Sequence, residues 1–209
     1  MEKPTLYYFH DPMCSWCWGF SPAWHNLRSA LMDDISVISV LGGLAPDSNE
    51  PMSAQMQEYL QQTWRGIAQK IPGTRFNYDF WTECQPRRST YPACRAVIAA
   101  RSQDGKFEDP MISTIQQRYY LQAKNPSDDE TLLGFAESIG LDKQRFMNDL
   151  NAPSTHQSLE QEMNFGRSMG VQGFPSLILA QQGKICPIRV EFLNVDLMVE
   201  SVKVALEVG

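Results

Sequence analysis

The sequence predicts an α/β protein in which one sheet is assembled from two separated β pieces, with a large helical block inserted between them. Three observations carry this. Residues 5–41 read strand, helix, strand. Residues 176–208 read strand, strand, helix. The stretch between them carries helical spacing of its apolar residues almost throughout. Each outer piece is too small to bury a core alone, so the two should combine into one sheet with helices on both faces. The expected division is residues 1–44 with 170–209 as one discontinuous unit, and 45–169 as the insertion.

A chain of 209 residues suits one domain carrying such an insertion. Hydrophobic residues make up 43% and charged residues 20%, which excludes wholesale disorder. The net charge is −6 and no block of Lys or Arg occurs, which argues against a nucleic-acid partner. No apolar run approaches the ~20 residues of a membrane helix. The opening MEKPTLYYFHDPMC lacks the features of a signal peptide, so a cytoplasmic location is expected. Thiols stay reduced there. The five cysteines are odd in number and scattered, unlike a structural disulfide framework.

The elements follow in order. Residues 5–9 (TLYYF) are β-branched and aromatic and run into His10-Asp11-Pro12, which marks a strand and its end. Phe20, Trp24, Leu27 and Leu31 give one face of a helix over 15–32, and Pro22 should kink it. Residues 35–41 (ISVISVL) form a second strand, closed by Gly42-Gly43. A helix is expected from 52 to 71, then a polar, aromatic loop from 72 to 88. Ser89 or Thr90 should cap a helix through Val97 to Arg101. Another helix holds Ile112, Ile115 and Tyr119. Ser127 with Glu130, and Ser154 with Gln157, read as capping boxes opening helices that stop at Gly140 and Gly170. Phe146 and Leu150 lie on a short helix between them. Residues 176–180 (SLILA) are a strand, Gln182-Gly183 a turn, and 184–190 a second, antiparallel strand. Cys186-Pro187 makes that strand an edge. A closing amphipathic helix spans 195–208.

The chemistry sits at Cys14-Ser15-Trp16-Cys17, a C-x-x-C where a strand ends and a helix begins. At a helix N-terminus a cysteine sulfur faces unpaired backbone N–H groups and the positive end of the dipole, which favour the thiolate. Cys17 lies about one turn on. Cys14 is then the exposed nucleophile and Cys17 the buried resolving thiol of a disulfide-exchange pair. A zinc site is the competing reading, but it wants four ligands. Cys84 and Cys94 lie on other elements, so no metal is expected.

The strand, the C-x-x-C and a helix kinked at Pro22 resemble the thioredoxin fold. Gly173-Phe174-Pro175-Ser176, directly before SLILA, is similar to its cis-proline loop, which implies Pro175 as the cis residue and Phe174 as a substrate contact. The helical block between the β pieces resembles the DsbA family, and CSWCWGF with GFPS is similar to its FrnE-like cytoplasmic branch of dithiol–disulfide isomerases. The resemblance implies a thioredoxin-like fold with a large helical insertion, and a thiol–disulfide oxidoreductase or isomerase acting on protein or peptide disulfides. It implies no bound cofactor, with glutathione as a conceivable redox partner and an unidentified electron donor or acceptor. DsbA proper has His where this chain has Trp16, so a weaker oxidant is expected. Many thioredoxin-fold proteins place a buried acid six residues before the first cysteine. Here that residue is Tyr8, and His10 and Asp11 are the nearby groups that could shuttle protons.

Among other residues, Trp16 is the candidate for a surface contact with unfolded chains, and Trp18 for the core. Cys84 and Cys94 could form a second disulfide, though Cys94 reads better as a small core residue. Cys186 reads as inert. Arg87-Arg88 could hold an anion, as in glutathione recognition. Two alternatives remain open. One is a glutathione-dependent isomerase or transferase, whose relatives carry Ser at the first position of the motif. The other is a redox-independent, chaperone-like client binder.

Overall fold

A computed structural model describes residues 3–31 and 35–208. Four strands and nine α-helices are seen among them. The chain begins with β1 (Thr5–His10), α1 (Ser15–Ala30) and β2 (Ser36–Leu41). The insertion follows as α2 (Ala54–Lys70), α3 (Phe80–Glu83), α4 (Tyr91–Gln103), α5 (Glu108–Gln122), α6 (Asp129–Ser138), α7 (Lys143–Leu150) and α8 (Pro153–Ser168). The chain returns through β3 (Ser176–Gln181), β4 (Lys184–Ile188) and α9 (Val195–Val208). The expected end of the first helix at Met32 lies outside the described residues.

The two β pieces form one sheet in the order β2-β1-β3-β4. β1 runs parallel to β2, with Tyr8 opposite Ser39, and antiparallel to β3, with Tyr8 opposite Leu177. β4 is an edge strand and carries Pro187, as a residue without an N–H requires. Strand alternation divides β1 between two cores. Leu6 and Tyr8 join Phe20, Trp24 and Leu27 of α1 and Met198 and Val202 of α9. Phe9 joins Val40 and Ile178, against Phe165 and Met169 at the other face. The fold is thus α/β and thioredoxin-like, with helices on both faces of the sheet.

The insertion has its own apolar centre. Trp64 of α2 is 1% exposed and is ringed by Phe76, Phe80, Trp81, Tyr119 and Tyr120. Met13 and Leu41, from the sheet side, pack into the same cluster. This ring also explains α3, which falls inside the predicted loop: Phe80 anchors a single turn against Trp64.

Three helix starts lack the expected cap, two of them because the polar side chain is taken by a tertiary partner. Thr90 Oγ1 donates to Asp11 Oδ2 at 2.7 Å rather than capping α4. Ser127 Oγ donates to the carbonyl of Ser89 at 2.7 Å, and the N-cap of α6 is Asp128. Ser154 lies inside α8, which begins with Pro153 after Ala152, the arrangement a first-turn proline favours. Gly140 and Gly170 follow α6 and α8 with φ of 81° and 79°, as left-handed stop residues.

Candidate active site

β1 delivers the chain to a tight loop, Asp11-Pro12-Met13, from which α1 springs. The Cys14 N–H donates to the Asp11 carbonyl at 2.9 Å, and the Trp18 N–H to the Cys14 carbonyl at 3.0 Å. Cys14 is therefore the N-cap, with extended backbone and no side-chain cap bond. The first turn of α1 holds no acidic residue, so its free amides and dipole end face the cysteine pair rather than a carboxylate. The insertion fixes this loop from behind. Tyr120 Oη donates to the Met13 carbonyl at 2.6 Å, and Trp18 stacks on the Tyr120 ring at 5.6 Å.

Cys14 is 6% exposed, less open than expected for a nucleophile. It lies in a groove of about 210 Å³ walled by Trp16, Leu44, Met52, Trp64, Arg88 and Phe174. Its Sγ donates to the Phe174 carbonyl at 3.6 Å, and the Phe174–Pro175 bond is cis. The structure thus brings Cys14, Cys17, Trp16, Phe174 and Pro175 to one place. Trp16 is half-buried, with its ring 5.5 Å from Phe192 and Lys70 Nζ 5.6 Å from it.

Cys17 has no exposed surface. It lies near Cys14 but is not joined to it. Burial pushes the Cys17 thiol well up, and the neighbouring Cys14 pushes it further. The backbone of Asp11 pulls the other way. Cys17 is consequently a protonated thiol at rest.

Asp11 is fully buried, and its oxygens take four donors. The Met13 N–H donates to Oδ1 at 2.8 Å, and the Leu44 N–H and Thr90 Oγ1 both to Oδ2 at 2.7 Å. Cys94 Sγ donates to Oδ2 at 3.5 Å. Burial still raises its pKa above the usual carboxylate value, against the lowering pull of those bonds. One side chain thereby joins the motif loop, the end of β2 and the insertion.

His10 is also fully buried, and neither ring nitrogen has a hydrogen-bond partner among the described residues. Its ring stacks on Tyr8 at 4.7 Å. Burial lowers its pKa from 6.5 to about 4. A histidine whose folded pKa is depressed stabilises the fold above its unfolded pKa and loses that contribution as pH falls through the folded value. Stability should therefore drop by about 3 kcal/mol on acidification across this window. His10→Phe should flatten that limb, as read by urea unfolding at stepped pH.

The remaining cysteines lie apart from this pair. Cys94 is buried in α4 and faces Asp11. Cys84 donates to the Ala123 carbonyl at 3.1 Å and is not bonded to Cys94. Cys186 is exposed on β4, the edge strand. No cluster of His, Cys, Asp and Glu fit for a metal occurs among the described residues. No helix there is long and apolar enough to cross a membrane.

Two site residues escaped sequence reasoning. Gly42 lies under the Phe174 ring, where an added Cβ would sit 1.9 Å from the ring tip. Its signal was the Gly-Gly pair ending a strand. Tyr120 gave none, since its bond to Met13 crosses more than a hundred positions.

A C-x-x-C at the start of α1, facing a cis-proline loop on a four-stranded mixed sheet with a helical insertion, is a thioredoxin-like arrangement. The family model described as Thioredoxin matches residues 7–191, and the chain belongs to that family. Among solved structures it is similar to a Nitrosomonas europaea protein provisionally described as a protein disulfide isomerase. That match has a TM-score of 0.86 and 24% identity, covering 99% of this chain and 98% of that one. The cytosolic disulfide reductase DsbM from Pseudomonas aeruginosa matches with a TM-score of 0.79 and 21% identity, over 98% of this chain and 100% of that one. A DsbM structure with GSH matches with a TM-score of 0.75 and 21% identity, over 97% of this chain and 99% of that one. At these identities the likeness speaks for the fold. By sequence the chain is 28% identical over 178 residues to the ClpXP adapter protein SpxH of Bacillus subtilis, covering 84% of this chain. It spans only 58% of that relative's length.

Proposed function

We propose that the protein is a thiol–disulfide oxidoreductase acting on protein or peptide disulfides in the cytoplasm, with Cys14 as nucleophile and Cys17 as resolving thiol. The observation that carries this is the asymmetry of the pair. Cys14 opens on a groove at a helix N-terminus beside the Phe174 carbonyl, while Cys17 lies sealed behind it with no exposed surface. Attack by the Cys14 thiolate on a substrate disulfide gives a mixed disulfide, and Cys17 then displaces the substrate thiol. Trp16 and Phe174 offer apolar contact to the bound chain, and Pro175 shapes the loop that holds Phe174. Asp11 holds the motif loop, and His10 packs beneath it against Tyr8.

Glutathione is the proposed small-thiol partner. Arg88 reaches the Cys14 groove and makes no ion pair among the described residues, whereas Arg87 is held by Asp128. That leaves one cation for a peptide carboxylate, and DsbM has been solved with GSH.

The test is to equilibrate the protein in graded glutathione buffers and trap free thiols. A Cys14–Cys17 disulfide with a potential near roughly −270 mV would make it a reductase. A value near roughly −180 mV would make it an isomerase or oxidase. If no such disulfide forms at any poise, the reading fails. A second reading, redox-independent client binding, then leads. It is favoured by the adapter name of the sequence relatives and by the apolar walls of the groove.

A further inference from the structure

One wall of the Cys14 groove is seated on the end of β2. Phe174 arrives from the loop before β3, and it lines the groove with Leu44, Met52 and Trp64. Gly42 lies directly under its ring. A Cβ added there would stand 1.9, 2.2 and 2.5 Å from the ring atoms Cζ, Cε1 and Cε2. The ring tip thus rests on bare backbone, an approach that only glycine allows. At Gly173, one residue before Phe174, an added Cβ would meet nothing within 4 Å, so the crowding belongs to the ring and Gly42 alone.

Neither partner has room to retreat. The Gly42 N–H donates to the His10 carbonyl at 2.7 Å and carries the β1–β2 ladder one residue past Leu41. The Phe174 side chain packs against the core cluster of Phe9, Val40 and Ile178. The loop backbone is held as well. Cys14 Sγ donates to the Phe174 carbonyl at 3.6 Å, and Ser176 Oγ to the Gly173 carbonyl at 2.7 Å.

We propose, resting on the oxidoreductase reading, that Gly42 is a positioning residue that sets substrate choice. By giving the Phe174 ring its seat, it keeps open beside Cys14 a pocket for a large apolar side chain next to the cysteine of the substrate disulfide. The groove holds about 210 Å³, the scale of one such side chain, and no Asp or Glu lines it. Removing that side chain from water against Leu44, Met52, Trp64 and Phe174 supplies the binding. Gly42→Ala forces the ring tip from 1.9 Å out to at least the 3.4 Å of ordinary contact, a shift of about 1.5 Å. With Gly42 fixed and the core cluster packed against the ring, the open side is the groove, and the pocket narrows.

The probes are the disulfide dimers of acetyl-Leu-Cys-Leu-amide and acetyl-Gly-Cys-Gly-amide, mixed with the reduced protein and followed by chromatography of acid-quenched samples. Each event turns one peptide disulfide into two peptide thiols while Cys14 and Cys17 join. Rates over a range of peptide concentration, corrected for the peptides' own rates with dithiothreitol, give a maximum and a half-saturation concentration. The wild type should prefer the leucine peptide about 10-fold or more. In Gly42→Ala that preference should fall to about two-fold or less, mainly through half-saturation. Phe174→Trp makes the same clash from the other side, leaves the strand end untouched and should lose the preference too. Phe174→Leu alone should only weaken it, yet the same change added to Gly42→Ala should raise it, because the shorter side chain clears the added methyl. A variant that merely loosens the fold does not reverse sign in this way. No preference in the wild type, an unchanged one in Gly42→Ala, or no recovery in the double variant overturns the role of Gly42. Cleavage of neither peptide by the wild-type protein sinks the oxidoreductase reading instead.

Discussion

Replacing Cys14 by Ser should reduce disulfide exchange to the level of free solution thiols, a loss on the order of a thousand-fold or more. Replacing Cys17 by Ala should have a different signature. The first attack survives, because Cys14 still opens on its groove, but nothing displaces the substrate. The expected product is a stable mixed disulfide at Cys14, read by intact mass and reversed by reductant. The double replacement should be no slower than Cys14→Ser alone, since the two thiols act as a unit. Turnover of an insulin-type protein disulfide gives the rate. Equal, modest losses in both single variants, without trapped adducts, would sink the assigned roles.

The second large effect concerns stability. Asp11→Ala leaves the Met13 and Leu44 amides and the Thr90 hydroxyl without their acceptor in the interior. An orphaned buried donor costs roughly 1–3 kcal/mol, and Thr90 can turn to the Ala45 carbonyl, so the expected loss is about 3–5 kcal/mol. That is much of the ~5–15 kcal/mol that holds a domain folded. Asp11→Asn, which keeps acceptor capacity, should lose less. The pH dependence has a definite sign. Burial raises the Asp11 pKa, so the folded state holds that proton more tightly than the unfolded chain does. The contribution is full below the unfolded pKa and is lost as pH rises through the folded value. The advantage of wild type over Asp11→Asn should therefore shrink from acid to neutral pH. Denaturant titration at stepped pH measures it, and a gap that widens towards neutrality would contradict the assignment.

Much of this site was legible because its residues are close in sequence or carry strong backbone signals. Cys14 and Cys17 are one turn apart, Pro12 stops β1, and Phe174-Pro175 stands directly before β3. Pro187 identified its strand as an edge without reference to any other residue. What could not be read were partners chosen by the fold. Thr90 and Ser127 have the right chemistry for helix caps, but Asp11 and the Ser89 carbonyl claim them. Local propensity cannot rank a cap against a buried carboxylate eighty positions away, because the second option exists only once the insertion has docked.

The strand order has a consequence for synthesis. β1 lies between β2 and β3, and β3 is encoded after the whole insertion. A nascent chain therefore carries both motif cysteines long before Phe174 can close over Cys14 and before β1 gains its second neighbour. Until the ribosome releases that segment, β1 has an open hydrogen-bonding edge and the cysteine pair lacks its cover. Such an intermediate is prone to wrong strand pairing and to premature thiol chemistry. Completion of the last β-hairpin is thus the event that turns a reactive, half-built chain into a selective one.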